Sequence, residues 1–145
     1  MNRRNMLKAS SAAALLPMAL GRAFGENSDA GDASDETVYE LRVYHLNEGK
    51  QPLILERFHK YELAIFERCG MHNVAFWVPT EEPLEGKTLI YMLRHKSREA
   101  ARASWAKFSA DPEWIAVKAE SEKNGAFVAK HDITFMKLTD FSPKL

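Results

Sequence analysis

The sequence predicts an α+β domain with the order strand–helix–strand–strand–helix–strand, preceded by an N-terminal export segment. Three observations carry this. Four short runs are rich in β-branched and aromatic residues, two intervening stretches repeat apolar residues at threes and fours, and turn residues separate them. The 145 residues leave room for one domain. A hydrophobic share of 46% and a charged share of 28% fit an ordinary globular chain.

Arg3, Arg4 and Lys8 precede a weakly apolar stretch from Ala9 to Leu20, and small residues follow at Ala19, Gly21 and Ala23. Basic, apolar, then small is the order of a signal peptide. About 12 apolar residues are too few for a membrane span, which needs roughly 20. Residues 1–23 are therefore expected to be an export signal and not an anchor. Arg3-Arg4 followed by Met6-Leu7-Lys8 resembles a twin-arginine signal, which implies a periplasmic or secreted destination by that route. Residues 24–37, including Glu26 to Thr37, lack large apolar side chains beyond Phe24 and read as a disordered spacer.

The domain occupies residues 38–145. Val38 to Leu46 places Tyr39, Leu41, Val43 and His45 on one face of a strand and Val38, Glu40, Arg42 and Tyr44 on the other. Pro52 to Cys69 reads as one helix, with Ile54, Leu55, Phe58, Tyr61, Ile65, Phe66 and Cys69 as its apolar stripe and Gly70 just past its end. His72 to Pro79 and Thr88 to His95 are the second and third strands, joined by a loop containing Pro83 and Gly86. Ser97 caps a second helix whose buried stripe is Ala101, Ser104, Trp105 and Phe108; Asp111-Pro112 restarts it, with Trp114, Val117 and Ser121 continuing the stripe. Asn124-Gly125 stops it, and His131 to Leu138 is the last strand.

This order is the ferredoxin-like βαββαβ arrangement, with antiparallel strand order 4-1-3-2 and both helices on one face. The opposite face still carries runs such as Val74-Ala75-Phe76-Trp77-Val78. Exposed to water, they would form a large sticky patch, so a homodimer packed sheet against sheet is expected. Formal charge is zero and Lys and Arg are scattered, which sets nucleic acid aside. Cys69 has no intramolecular partner and reads as a small buried residue.

The residues also resemble a known family. Tyr39-Glu40-Leu41-Arg42-Val43-Tyr44 is similar to the opening strand of NIPSNAP-domain proteins. So are Phe66-Glu67 with Gly70-Met71, and Phe76-Trp77 ahead of a proline. Arg98-Glu99-Ala100-Ala101, Trp105, Phe108, Asp111-Pro112-Glu113-Trp114 and Thr139-Asp140-Phe141-Ser142-Pro143 continue the likeness across about 105 residues. The resemblance implies a dimeric α+β barrel and no single reaction. Related barrels include cofactor-free monooxygenases and haem-degrading enzymes, an analogy of fold alone. Family members often carry a His in the first helix where this chain has Tyr61; His59 stands two residues earlier.

Among chemistry-bearing residues, there is no P-loop, GxGxxG, HExxH, cysteine pair or G-x-S-x-G. No cofactor or metal is therefore expected. His59 and Glu62 sit three apart, a spacing open to a metal, to an acid–base pair or to a partly exposed helix face. His45 and His131 fall at meeting strand ends near Glu48, as solvated residues or as two ligands without a clear third. Glu40 and Arg42 share a strand face, as a structural ion pair or as an anchor for an anionic or carbonyl-bearing ligand. Tyr44, Tyr61, Trp77, Tyr91 and Trp105 are core aromatics or the lining of a ligand pocket between helices and sheet. The leading expectation is an exported dimer of undefined role that binds a small organic molecule through Arg42, Tyr44, Tyr61, Trp77, Tyr91 and Trp105. The alternatives are a cofactor-independent monooxygenase or related oxidoreductase using His59 or Tyr61, and a purely structural dimer.

Overall fold

The computed structural model describes residues 36–145. The expected signal peptide, and all but the last two residues of the expected spacer, lie outside them. The described chain runs β1 (Val38–Leu46), α1 (Gln51–Arg57), a π-helical turn (Phe58–Glu62), α2 (Leu63–Cys69), β2 (His72–Trp77), β3 (Thr88–His95), α3 (Arg98–Ala110), α4 (Pro112–Ser121) and β4 (Val128–Met136). The four strands form one antiparallel sheet in the order β2-β3-β1-β4. No helix among the described residues is long and apolar enough to cross a membrane.

The dimeric α+β barrel expected from the sequence is corrected here. The sheet is open: among the described residues β2 pairs only with β3 and β4 only with β1, and these two strands are its edges. Four strands are too few to close, since about eight are needed to surround a filled interior. What stands is a mixed α+β topology with its helices gathered over one face.

The register fixes which residues meet those helices. On β1, Glu40, Arg42, Tyr44 and Leu46 point toward them, opposite Leu93, Tyr91 and Leu89 on β3. The other face carries Leu41, Val43, Ile90 and Met92, all half-buried, with Trp77 beside them on β2. The core is aromatic: Phe58, Phe66, Tyr91, Phe76 and Phe108 pack at ring separations of 5.0 to 6.0 Å. Such pairs add about 0.5–1.5 kcal/mol each beyond the area they bury.

Local sequence explains the element ends. Ser97 Oγ accepts from the Ala100 amide at the start of α3. Asp111 accepts from the Glu113 and Trp114 amides, and Pro112 supplies the first residue of α4. Gly70 ends α2 with φ 93°, a conformation other residues rarely adopt. Several boundaries differ from the sequence reading: the first helix begins at Gln51 rather than Pro52, and β2 ends at Trp77 rather than Pro79. The last strand spans Val128–Met136 rather than starting at His131. The first helix is interrupted at Phe58–Glu62, where the Leu63 amide bonds back five residues to the Phe58 carbonyl.

Candidate functional site

The interruption builds the site. In a regular helix, residues five apart stand roughly 140° apart around the axis. The wide turn narrows that angle, and both Arg57 and Glu62 face inward and are buried. Arg57 Nε donates to Glu62 Oε1 at 2.5 Å, while its Nη1 reaches Glu122 Oε1 at 2.9 Å and Ser121 Oγ at 3.2 Å across α4. The guanidinium also lies 4.7 Å from the Phe127 ring and 5.0 Å from Trp114. Glu62 is only 2% exposed. Burial pushes its carboxyl up to about 7, against the opposing charge and hydrogen bond of Arg57. Its second oxygen accepts no hydrogen bond among the described residues, yet is not sealed in.

Glu62 is among the residues that line a cavity of about 280 Å³ between the helices and one end of the sheet. Tyr44 and His131 contribute from the sheet, Glu62 and Arg57 from the interrupted helix, and Phe108 and Trp114 from α3 and α4. Phe108 and Trp114 pack with ring centroids 4.5 Å apart, tilted by 33°, and form an apolar wall.

Behind Tyr44 runs a buried polar chain on β1 and β3. The Glu40 carboxylate receives Trp105 Nε1 at 2.7 Å and Arg42 Nε at 2.6 Å, and pairs with His95 Nε2 at 2.8 Å. Burial alone would raise Glu40, but these hydrogen bonds and the Arg42 charge outweigh it and hold the carboxyl below its usual range. Arg42 stacks 3.6 Å over Trp105 and its Nη1 lies 3.5 Å from the Tyr44 hydroxyl. Tyr91, wholly buried, donates to that hydroxyl at 2.7 Å. With its oxygen accepting twice, Tyr44 retains its own proton for a partner in the cavity. Burial raises the Tyr44 phenol, so it stays protonated at neutral pH.

The residues singled out from sequence do not gather in one place. Tyr44 lines the cavity; Arg42, Tyr91 and Trp105 form the polar chain behind it. Tyr61, 40% exposed, lies instead in a groove of about 540 Å³ between α1 and α4, with Leu53, Lys60 and Val117. Trp77, 48% exposed, is on the opposite face of the sheet, so no cavity between helices and sheet includes it. His59 is exposed and does not share a face with the buried Glu62. His45 and His131 also part: His45 pairs with Asp132 at 2.8 Å on the open face, and His131 packs on Tyr44 on the other. Among the described residues, no three metal-ligating side chains converge.

The NIPSNAP family profile matches residues 39–143. The chain belongs to the NIPSNAP family. The match lies within the described domain and carries no twin-arginine signal, so linking this NIPSNAP chain to such a signal and to a closed dimeric barrel is corrected to family membership with an open sheet. A NIPSNAP-like domain protein from Burkholderia xenovorans superposes with a TM-score of 0.66 at 17% identity, over 76% of this chain and 91% of that one. A NIPSNAP family protein from Agrobacterium tumefaciens gives 0.64 at 20% identity, over 74% and 93%. A Streptomyces coelicolor monooxygenase in complex with nanaomycin D gives 0.52 at 12% identity, over 76% and 94%. At these identities the likeness is one of fold. No curated protein matches the chain.

Glu62 and Arg57 escaped the sequence reading of this NIPSNAP domain because charged residues beside an apolar stripe look solvated. The one available signal was position: Glu62 falls four residues after Phe58 and three before Ile65, on the stripe itself.

Proposed function

We propose that this NIPSNAP domain binds a small, flat organic molecule bearing a hydroxyl or carbonyl group in the cavity between Tyr44, Glu62 and Trp114. The observation that carries this reading is the lining itself. One wall is aromatic, and the same space is lined by two residues that each keep an unspent polar group, the hydroxyl proton of Tyr44 and Oε2 of Glu62. A volume of about 280 Å³ falls just below the usual span of ligand pockets, roughly 300 to 1,000 Å³. It suits one or two fused rings. Stacking against Phe108 and Trp114 would hold the ring, and the two polar groups would orient it.

Trp114 makes the test direct. Titration with 4-hydroxyacetophenone and 2-indanone is expected to change tryptophan emission saturably below about 1 mM, some −4 kcal/mol of binding. The change disappears in Trp114→Phe. Emission that stays flat for both compounds refutes the proposal.

A homodimer and an exported destination belong to the same reading. A second copy seated on the open face would cover Leu41, Val43, Ile90, Met92 and Trp77 without closing the sheet into a barrel. Sedimentation at the monomer mass rejects it. Export by residues 1–23 is rejected if a reporter fused after residue 37 stays in the cytoplasm.

A further inference from the structure

The cavity has more than the shape for binding. It holds a carboxylate oxygen without a hydrogen bond and a phenol with a free proton, and proton transfer to carbon requires that pair. We propose that the site catalyses keto–enol proton transfer on a small aryl ketone, with Glu62 Oε2 as the base and the Tyr44 hydroxyl as the group that holds the carbonyl oxygen. The proposal rests on the binding reading above and adds a reaction to it.

The step balances without any other reactant. Glu62, ionised, takes the proton from the carbon next to the carbonyl. The C–H electron pair becomes the enolate C=C bond, and the carbonyl π pair moves to oxygen, where the Tyr44 hydroxyl donates to it. Glu62 then returns the proton to carbon or yields it to solvent. Nothing is oxidised or reduced.

Four features of the structure suit that cycle. Arg57 fixes Glu62 through Oε1 alone, leaving Oε2 for the substrate. Tyr91 and Arg42 both donate to the Tyr44 oxygen, which aims the Tyr44 proton away from them. Phe108 and Trp114 supply the apolar part of the lining for the ring, while Lys118 and Glu122 face Glu62 from α4 and its end. The π turn sets the position of Glu62, and such interruptions of helices recur at functional sites.

The test reads reaction and binding separately. Deuterium wash-in to the carbons flanking the carbonyl of 2-indanone is followed by proton NMR in D2O, and occupancy by Trp114 emission. Wild-type protein is expected to speed exchange about 100-fold or more over buffer, with the rate rising as pH passes through about 7. Glu62→Gln returns exchange to the buffer rate even at 2-indanone concentrations that saturate the Trp114 signal. Tyr44→Phe slows it about tenfold or more. Should Glu62→Gln fail to fold, Tyr44→Phe and the wild-type pH profile decide. Saturable binding with exchange at the buffer rate overturns proton transfer and leaves the binding reading intact. A pH-independent rate, or full activity in either variant, also overturns it, and absence of binding overturns both.

Discussion

Glu62 should make the protein less stable as pH rises through neutrality, the reverse of what a surface carboxylate does. An ordinary glutamate titrates near 4.5, and this one, pushed up by burial, near about 7. The folded state therefore holds a proton that the unfolded chain has released between those values. Stability from this group is complete below about 4.5 and is lost as pH climbs through about 7. With one pH unit of proton affinity equal to about 1.4 kcal/mol, the loss approaches about 3 kcal/mol by pH 8. Urea unfolding of wild type and Glu62→Gln, followed by circular dichroism from pH 4.5 to 8, isolates the effect, because glutamine does not titrate. The stability difference, wild type minus variant, should fall by about 3 kcal/mol across that range. A difference that stays level, or grows with pH, would mean that Arg57 holds Glu62 ionised, and the reasoning from burial would be wrong.

Glu40 should behave oppositely. Its depressed carboxyl contributes stability above about 4.5 that is lost as pH falls through its folded value, so wild type should lose stability in acid more steeply than Glu40→Gln. That variant should also cost about 3–5 kcal/mol at neutral pH, read from urea midpoints, because it leaves the Arg42 charge without its carboxylate. Gly70→Ala should cost about 1–2 kcal/mol in the same assay: φ is 93° and an added Cβ would sit 3.1 Å from Ser104 Oγ. Asp111→Ala removes the α4 cap and the paired bonds from Arg68, at 3.0 and 2.7 Å, and should cost about 1 kcal/mol, seen as a lower melting temperature.

Most of the element plan was legible because it rests on local chemistry. The apolar run of Thr88–His95, the Ser97 and Asp111 caps and the glycine at 70 each act through neighbours in sequence, and each does in the structure what its residue type favours. The site was only partly legible. Tyr44 was singled out and lines the cavity, whereas Trp77, picked by the same aromatic criterion, falls on the other face of the sheet. A strand's two faces are distinguished by alternation, and His72–Trp77 alternates poorly: its register shifts between Asn73 and Ala75.

The sequence by itself determined an α+β chain with four strands, two helical regions and their main stops, since period, caps and turn residues need no distant partner. Tertiary structure decided the rest. It left the sheet open, because strand count and edge pairing are properties of the whole assembly and not of any one run. It also turned the stretch Phe58–Glu62 into a π-helical turn, and so placed Glu62 beside Arg57, Glu122 and the cavity. A buried carboxyl needs a partner, and its partners here are Arg57, five residues back, and a charge network reaching α4, a helix 50 residues further along the chain.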